Sequence, residues 1–97
     1  LPEEKDNTIR NNRRNAEGIV RRLKQSGYEA YFVGGCVRDF IRGDVPGDYD
    51  IVTSAHPDEV LAMFPHTVAI GAKFGVVAVI VEHHSYEVAT FRSDDIY

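Results

Sequence analysis

Between Thr8 and Ser26 the apolar residues Ala16, Ile19, Val20 and Leu23 recur at three- and four-residue steps among Arg, Asn and Lys. That spacing lines them up on one side of a helix, as a stripe that must pack on something. Gly27 ends the helix, and the polar residues 1–7 ahead of it read as a loose terminus. Ala30 to Val33 is a short apolar run suited to a buried strand, stopped by Gly34 and Gly35. Cys36 to Arg42 reads as a short helix closed by Gly43, and Val45, Pro46 and Gly47 turn the chain into a second strand, Asp50 to Thr53. Ser54 is an N-cap or loop residue before a helix opening on Pro57, with Asp58 and Glu59 in its first turn and Val60, Leu61 and Phe64 as its apolar face. Thr67 to Ile70 makes a short strand, Gly71 to Gly75 a loop, and Val76 to Val81, apolar on both faces, a central strand. His83 to Ser85 turn the chain, and Tyr86 to Arg92 returns antiparallel. The pattern predicts an α+β fold: a small mixed or antiparallel sheet with helices packed on one side.

Composition narrows this to one domain. A chain of 97 residues buries only about 60 to 65% of its unfolded surface. Its 43% hydrophobic and 27% charged residues are ordinary for a globular protein, and no apolar run approaches the ~20 residues that span a bilayer. The single cysteine, Cys36, has no internal partner, which suits a reducing compartment. The net charge of −4 is unevenly spread: Lys5, Arg10, Arg13, Arg14, Arg21, Arg22 and Lys24 all lie in the first quarter, leaving the remainder acidic. Either that helix touches nucleic acid or it is a solvated face. The dispersal of the charges, with Asp6 and Glu17 among them, favours the second.

The densest chemistry lies between Val33 and Thr53. Gly34 and Gly35 let backbone approach a ligand closely. The amides around Gly35 and Cys36 would lie at a helix N-terminus, which favours an anion, and Arg38 adds a positive charge one turn in. Gly-Gly alone also suits a tight strand-to-helix turn, and it is neither a Rossmann nor a Walker loop, because the further glycine or Gly-Lys-Ser/Thr is missing. Asp48 and Asp50 decide between these readings. One residue apart on an extended chain, they project from the same face with Cα atoms about 7 Å apart, able to hold one divalent ion or bridge two. They precede the apolar Ile51 and Val52, at the start of the strand, which suits metal ligands better than a covalent nucleophile. Glu87 alternates with apolar neighbours on the returning strand; it either faces water at a sheet edge or, if that strand lies beside Asp48 to Thr53, adds a third carboxylate. Lys73 in its glycine-flanked loop reaches a phosphate or is solvated. Arg92 touches phosphate or pairs with Asp94 or Asp95. His56 and His66, each beside a proline, read as turn residues, and His83 and His84, adjacent in sequence, cannot chelate one ion together.

Gly34-Gly35-Cys36-Val37-Arg38-Asp39, then Gly43, then Asp48-Tyr49-Asp50-Ile51-Val52-Thr53 resembles the signature of the class II tRNA nucleotidyltransferase and bacterial poly(A) polymerase family. The likeness runs from about Tyr28 to Tyr97 and includes Gly71 to Gly75 and Glu87-Val88-Ala89-Thr90-Phe91-Arg92. It implies a polymerase-β-like head domain that adds nucleotides to an RNA 3′ end without a template. Asp48 and Asp50 would be the metal ligands, for Mg²⁺ or Mn²⁺, with Glu87 as the third acidic residue of the catalytic set. Gly34, Gly35 and Arg38 would lie along the triphosphate, with Lys73 and Arg92 as further nucleotide contacts. The expected partners are CTP and ATP and the 3′ end of tRNA or another RNA, with no membrane, in the cytoplasm. Family members are several times longer, and past the head they carry an Arg-Asp element, a loop that pairs with the incoming base, and helical domains for RNA. These 97 residues hold none of them and are expected to be the head of a longer enzyme. Gly71-Ala72-Lys73-Phe74-Gly75-Val76-Val77 is closer to CCA-adding members than to poly(A) polymerases. CCA addition or repair, or partial C- or A-addition, is therefore preferred to poly(A) addition, and a non-catalytic nucleotide-binding domain is the reading from another class.

Overall fold

The computed structural model describes residues 2–34, 41–43, 49–71 and 75–91, and the side chains among them except those of 2–9 and 71. The first helix, α1 (Pro2–Gln25), begins six residues before the predicted Thr8. Proline at the first helical position has no N–H to leave unpaired and its φ is already helical, so a stretch with no apolar stripe can still open the helix. The predicted stripe is the buried one: Ala16, Ile19, Val20 and Leu23 all lie in the core. Gly27, at φ 95°, stops the helix in a Schellman motif, with Tyr28 N–H donating to the Leu23 carbonyl and Gly27 N–H to that of Lys24, both at 3.0 Å.

A five-stranded sheet follows, built from β1 (Ala30–Val33), β2 (Asp50–Thr53), β3 (Thr67–Gly71), β4 (Val76–Val81) and β5 (His84–Thr90), with α2 (Pro57–Met63) between β2 and β3. The spatial order is β1-β2-β5-β4-β3. β1 and β2 are antiparallel, β2 and β5 parallel, and β5-β4-β3 antiparallel, so the sheet is mixed. Ala30, Ile51, Val77, Val79, Tyr86 and Val88 point to one face and join Ala16, Ile19, Leu23 and Val60 in a single core. Both helices therefore cover the same side. Tyr86, fully buried, donates its hydroxyl to the Asn12 carbonyl at 3.2 Å and ties α1 across the sheet.

Of the two readings of Ser54 the loop residue is the observed one, and one local expectation, the extent of the β4–β5 turn, is corrected. Ser54 does not cap α2. His56 does, in extended conformation, and its N–H donates to Glu59 Oε1 at 2.8 Å. Ser54 is instead drawn to the start of β1, where its hydroxyl accepts from Glu29 N–H at 2.9 Å and its own N–H donates to the Glu29 carbonyl at 3.1 Å. The hairpin between β4 and β5 turns on Glu82 and His83 alone, at φ 51° and 66°, with Val81 paired to His84. His84 and Ser85, expected in the turn, are strand residues, because a two-residue loop with both φ positive matches the twist of the strands. Of the predicted helix at 36–42, Ile41 and Arg42 are helical and Gly43 closes it at φ 80°; residues 36–40 lie outside the described residues.

Candidate active site

Strand alternation turns Asp50 away from the core: Ile51 and Thr53 face the helices while Asp50 and Val52 face the other side. Pairing then brings the acidic residues together. β5 lies parallel beside β2 with Glu87 as the register partner of Asp50, Val88 as that of Ile51 and Ala89 as that of Val52. Strands are about 4.8 Å apart, so two carboxylates stand side by side on one face, Asp50 half-buried and Glu87 exposed. Ala78 of β4 is the next residue across. The condition placed on Glu87 is a strand beside Asp48 to Thr53; β5 lies beside Asp50 to Thr53, and Asp48 is outside the described residues.

Gly34 completes this corner. It follows Val33, the register partner of Asp50, and sits at φ 73°; a Cβ built on it would come within 3.3 Å of Asp50 Oδ2. Glycine is needed there twice over, for the left-handed backbone and for the room beside the carboxylate. Asp48, Gly35, Arg38, Lys73 and Arg92 lie outside the described residues. Among the described residues no three His, Cys, Asp or Glu side chains gather into a metal site. The pair Asp50 and Glu87 is what the structure brings together, and oxygen donors of this kind suit a hard divalent cation.

The histidines stand apart from that corner. His56 acts through its backbone as a cap, His83 sits in the hairpin turn, and His84 packs against Tyr86 with ring centroids 4.9 Å apart and planes inclined by 60°. The basic residues of α1 stand on the helix-covered side of the sheet: Arg13 lies 3.9 Å from Glu17, both largely exposed, and the Arg22 guanidinium rests 6.0 Å from the centre of the Phe64 ring. Two concavities, one of about 490 Å³ against α1 and Phe32 and one of about 660 Å³ beside His66 and His83, are lined by neither Asp50 nor Glu87. The two carboxylates lie on the sheet face that neither α1 nor α2 covers. Alternation along the returning strand already puts Phe91 on the face of Glu87, and the ladder keeps it there; sequence reasoning passed over Tyr31, whose place on this face follows only once the strand order is known.

The model of the Poly A polymerase head domain matches residues 30–97. The chain belongs to that family. A CCA-adding enzyme of Geobacillus thermodenitrificans is 57% identical over 84% of this head and 20% of its own length. The crystal structure of the Bacillus stearothermophilus CCA-adding enzyme in complex with CTP superposes with a TM-score of 0.72 at 52% identity, over 80% of this head and 20% of that chain. A tRNA nucleotidyltransferase complexed with a primer tRNA and an incoming ATP analog gives a TM-score of 0.62 at 25% identity, over 81% of this head and 24% of that chain. The head thus spans about a fifth of the length of the curated relatives it matches. Its mixed sheet with both helices on one side is the polymerase-β-like nucleotidyltransferase fold expected from the motifs.

Proposed function

We propose that this head serves an RNA nucleotidyltransferase that moves nucleotides from CTP and ATP onto the 3′ end of tRNA, without a template and with a divalent cation. One observation carries the reading: Asp50 and Glu87 stand in register on the open face, with Gly34 against the Asp50 carboxylate. Like charges on neighbouring strands are unfavourable, and a cation between them removes the penalty. In this reading Asp48, Asp50 and Glu87 hold Mg²⁺, or Mn²⁺ in its place, which when bound neutralises charge on the reacting phosphate. The residues themselves do the positioning. Gly34 and Gly35 let phosphate oxygens approach backbone amides, and Arg38 lies along the triphosphate. Lys73 and Arg92 reach outer oxygens.

Relatives at 57% and 56% identity are named CCA-adding enzymes, which together with Gly71 to Val77 supports CCA addition, in the cytoplasm with the tRNA pool. The matched family's own description favours poly(A) addition as the second reading. Among the described residues no helix is long and apolar enough to cross a membrane. Transfer of radiolabelled CMP and AMP to tRNA lacking its 3′ end, by the full-length protein and its Asp48→Ala and Asp50→Ala variants, tests the proposal. Both variants are expected to lose transfer while staying folded. Wild-type turnover by either removes that carboxylate from the reaction, and addition of long adenosine runs selects the second reading.

A further inference from the structure

Two aromatic rings stand beside the carboxylates and serve neither phosphate nor metal. Tyr31 of β1 is the register partner of Val52, and Val52 that of Ala89, so Tyr31, Val52 and Ala89 form a row on the open face next to the row of Val33, Asp50 and Glu87. Phe91 follows on the same face, its N–H donating to the Thr53 carbonyl at 2.9 Å in continuation of the β2–β5 ladder. The Tyr31 and Phe91 rings come together at 6.4 Å between centroids, tilted by 35°, across the small side chains of that row. Tyr31 is nonetheless 49% exposed, with its hydroxyl turned outward to Glu29 Oε1 at 2.9 Å. An aromatic pair recruited for packing would be buried; this one presents ring surface to solvent on the face that neither described helix covers.

Its position relative to Gly34 assigns it a ligand. Along the strands, Gly34 lies just past Val33 on one side of the Val33, Asp50 and Glu87 row, while on the other side Tyr31 lies two strand residues, about 7 Å, and Phe91 four strand residues, about 13 Å, from that row. Phosphoryl transfer places the attacking oxygen and the leaving pyrophosphate roughly in line on opposite sides of the phosphorus. With the triphosphate on the glycine turn, the attacking hydroxyl arrives from the side of Tyr31 and Phe91. We propose that Tyr31 and Phe91 form a stacking platform for the unpaired base at the 3′ end of the acceptor RNA. The proposal rests on the nucleotidyltransferase reading above. A 3′ end that is extended step by step does not keep one terminal base throughout, and stacking on an aromatic face accepts any base, because every base has a π-face.

The test uses the full-length protein and an RNA primer whose last nucleotide is 2-aminopurine, with a second primer carrying the probe several nucleotides upstream. The terminal probe is expected to be quenched on binding and the upstream probe not. Tyr31→Ala and Phe91→Ala should each relieve the quenching and raise KM for the RNA by about tenfold, with KM for CTP unchanged, while Tyr31→Phe keeps wild-type behaviour. The wild-type quenching pattern answers the question even if Phe91→Ala fails to fold. An unquenched terminal base, or wild-type RNA affinity in Tyr31→Ala, overturns the platform while transfer by the wild-type protein leaves the nucleotidyltransferase reading standing. A loss that falls on CTP and ATP and spares the RNA overturns it in favour of the incoming base. Absence of any transfer by the wild-type protein overturns both.

Discussion

Gly34 is the residue at which backbone and chemistry constrain each other most tightly. Gly34→Ala puts a side chain at φ 73° and within 3.3 Å of Asp50 Oδ2. The left-handed backbone alone costs roughly 1–2 kcal/mol, and the carboxylate has to move. A lower urea midpoint is expected, together with a fall in transfer that persists where the variant is fully folded; unfolding curves beside activity at low denaturant separate the two. Glu87 should behave in the opposite sense. Its register places it beside Asp50, so Glu87→Gln removes a like-charge neighbour and should leave the cation-free protein as stable or a few tenths of a kcal/mol more stable. The gain in melting temperature on adding Mg²⁺ should shrink. A Glu87→Gln protein that Mg²⁺ stabilises as much as wild type would take Glu87 out of the metal site.

Glu59 gives a pH signature remote from the site. The Tyr28 hydroxyl donates to its carboxylate, the His56 N–H donates as well, and the two together hold its pKa below the ordinary value, Tyr28 having the larger effect. A carboxylate lowered on folding stabilises the native state above its unfolded pKa, near 4.3, and that contribution is lost as pH falls through the folded value. Melts between pH 6 and pH 3 should therefore show an acid limb that is shallower in Tyr28→Phe, and shallower again in Glu59→Gln. Equal slopes in all three proteins would mean that the bonds do not distinguish the two protonation states.

At the scale of elements, the hairpin turn stands out because its residues disagree with its geometry. Glu82 and His83 both take positive φ, where Asn-Gly is the favoured pair. Replacing them with Asn-Gly should stabilise the protein by about 1 kcal/mol, which for a domain of this size raises Tm by roughly 4–8 °C; a calorimetric scan showing no change would mean that the turn is relaxed as it stands. The same disagreement explains why the sequence predicts a turn over His83 to Ser85: with no Asn-Gly or Asp-Gly to mark it, a two-residue loop leaves no local trace. The core stripe of α1 was legible because burial on a helix repeats at the helical period and Ala16, Ile19, Val20 and Leu23 keep that period. Its start at Pro2 was not, because the first two turns carry no apolar stripe. β1 and β2 were legible to the residue, being apolar runs bounded by glycine, aspartate and serine. Asp50 and Gly34 were singled out by their spacing, and the pairing of β1 with β2 brings them together. What no local pattern encodes is that β5 lies beside β2, in a register that pairs Glu87 with Asp50 and sets Tyr31 and Phe91 on the same face.

At the scale of the molecule, the order β1-β2-β5-β4-β3 divides the work between two faces. One is sealed by α1 and α2 and supplies the core; the other carries Asp50, Glu87, Tyr31 and Phe91. Every group proposed to meet a nucleotide on that second face addresses something that CTP and ATP share. The carboxylates hold the cation, Gly34 makes room for phosphate, and an aromatic face stacks on any base. Discrimination needs donors and acceptors on the Watson–Crick edge, worth roughly 1–3 kcal/mol per well-made pair. The helix α1, with its basic residues from Arg10 to Lys24, lies across the sheet from the carboxylates. These 97 residues alone are therefore expected to bind both triphosphates weakly and about equally in the presence of Mg²⁺, and to show little transfer to tRNA lacking its 3′ end. Titrating the isolated chain with CTP and with ATP, beside an incorporation assay, measures both. A preference of tenfold or more, about 1.4 kcal/mol, would show that the head reads the base, and robust incorporation would show that it positions the RNA end without further domains.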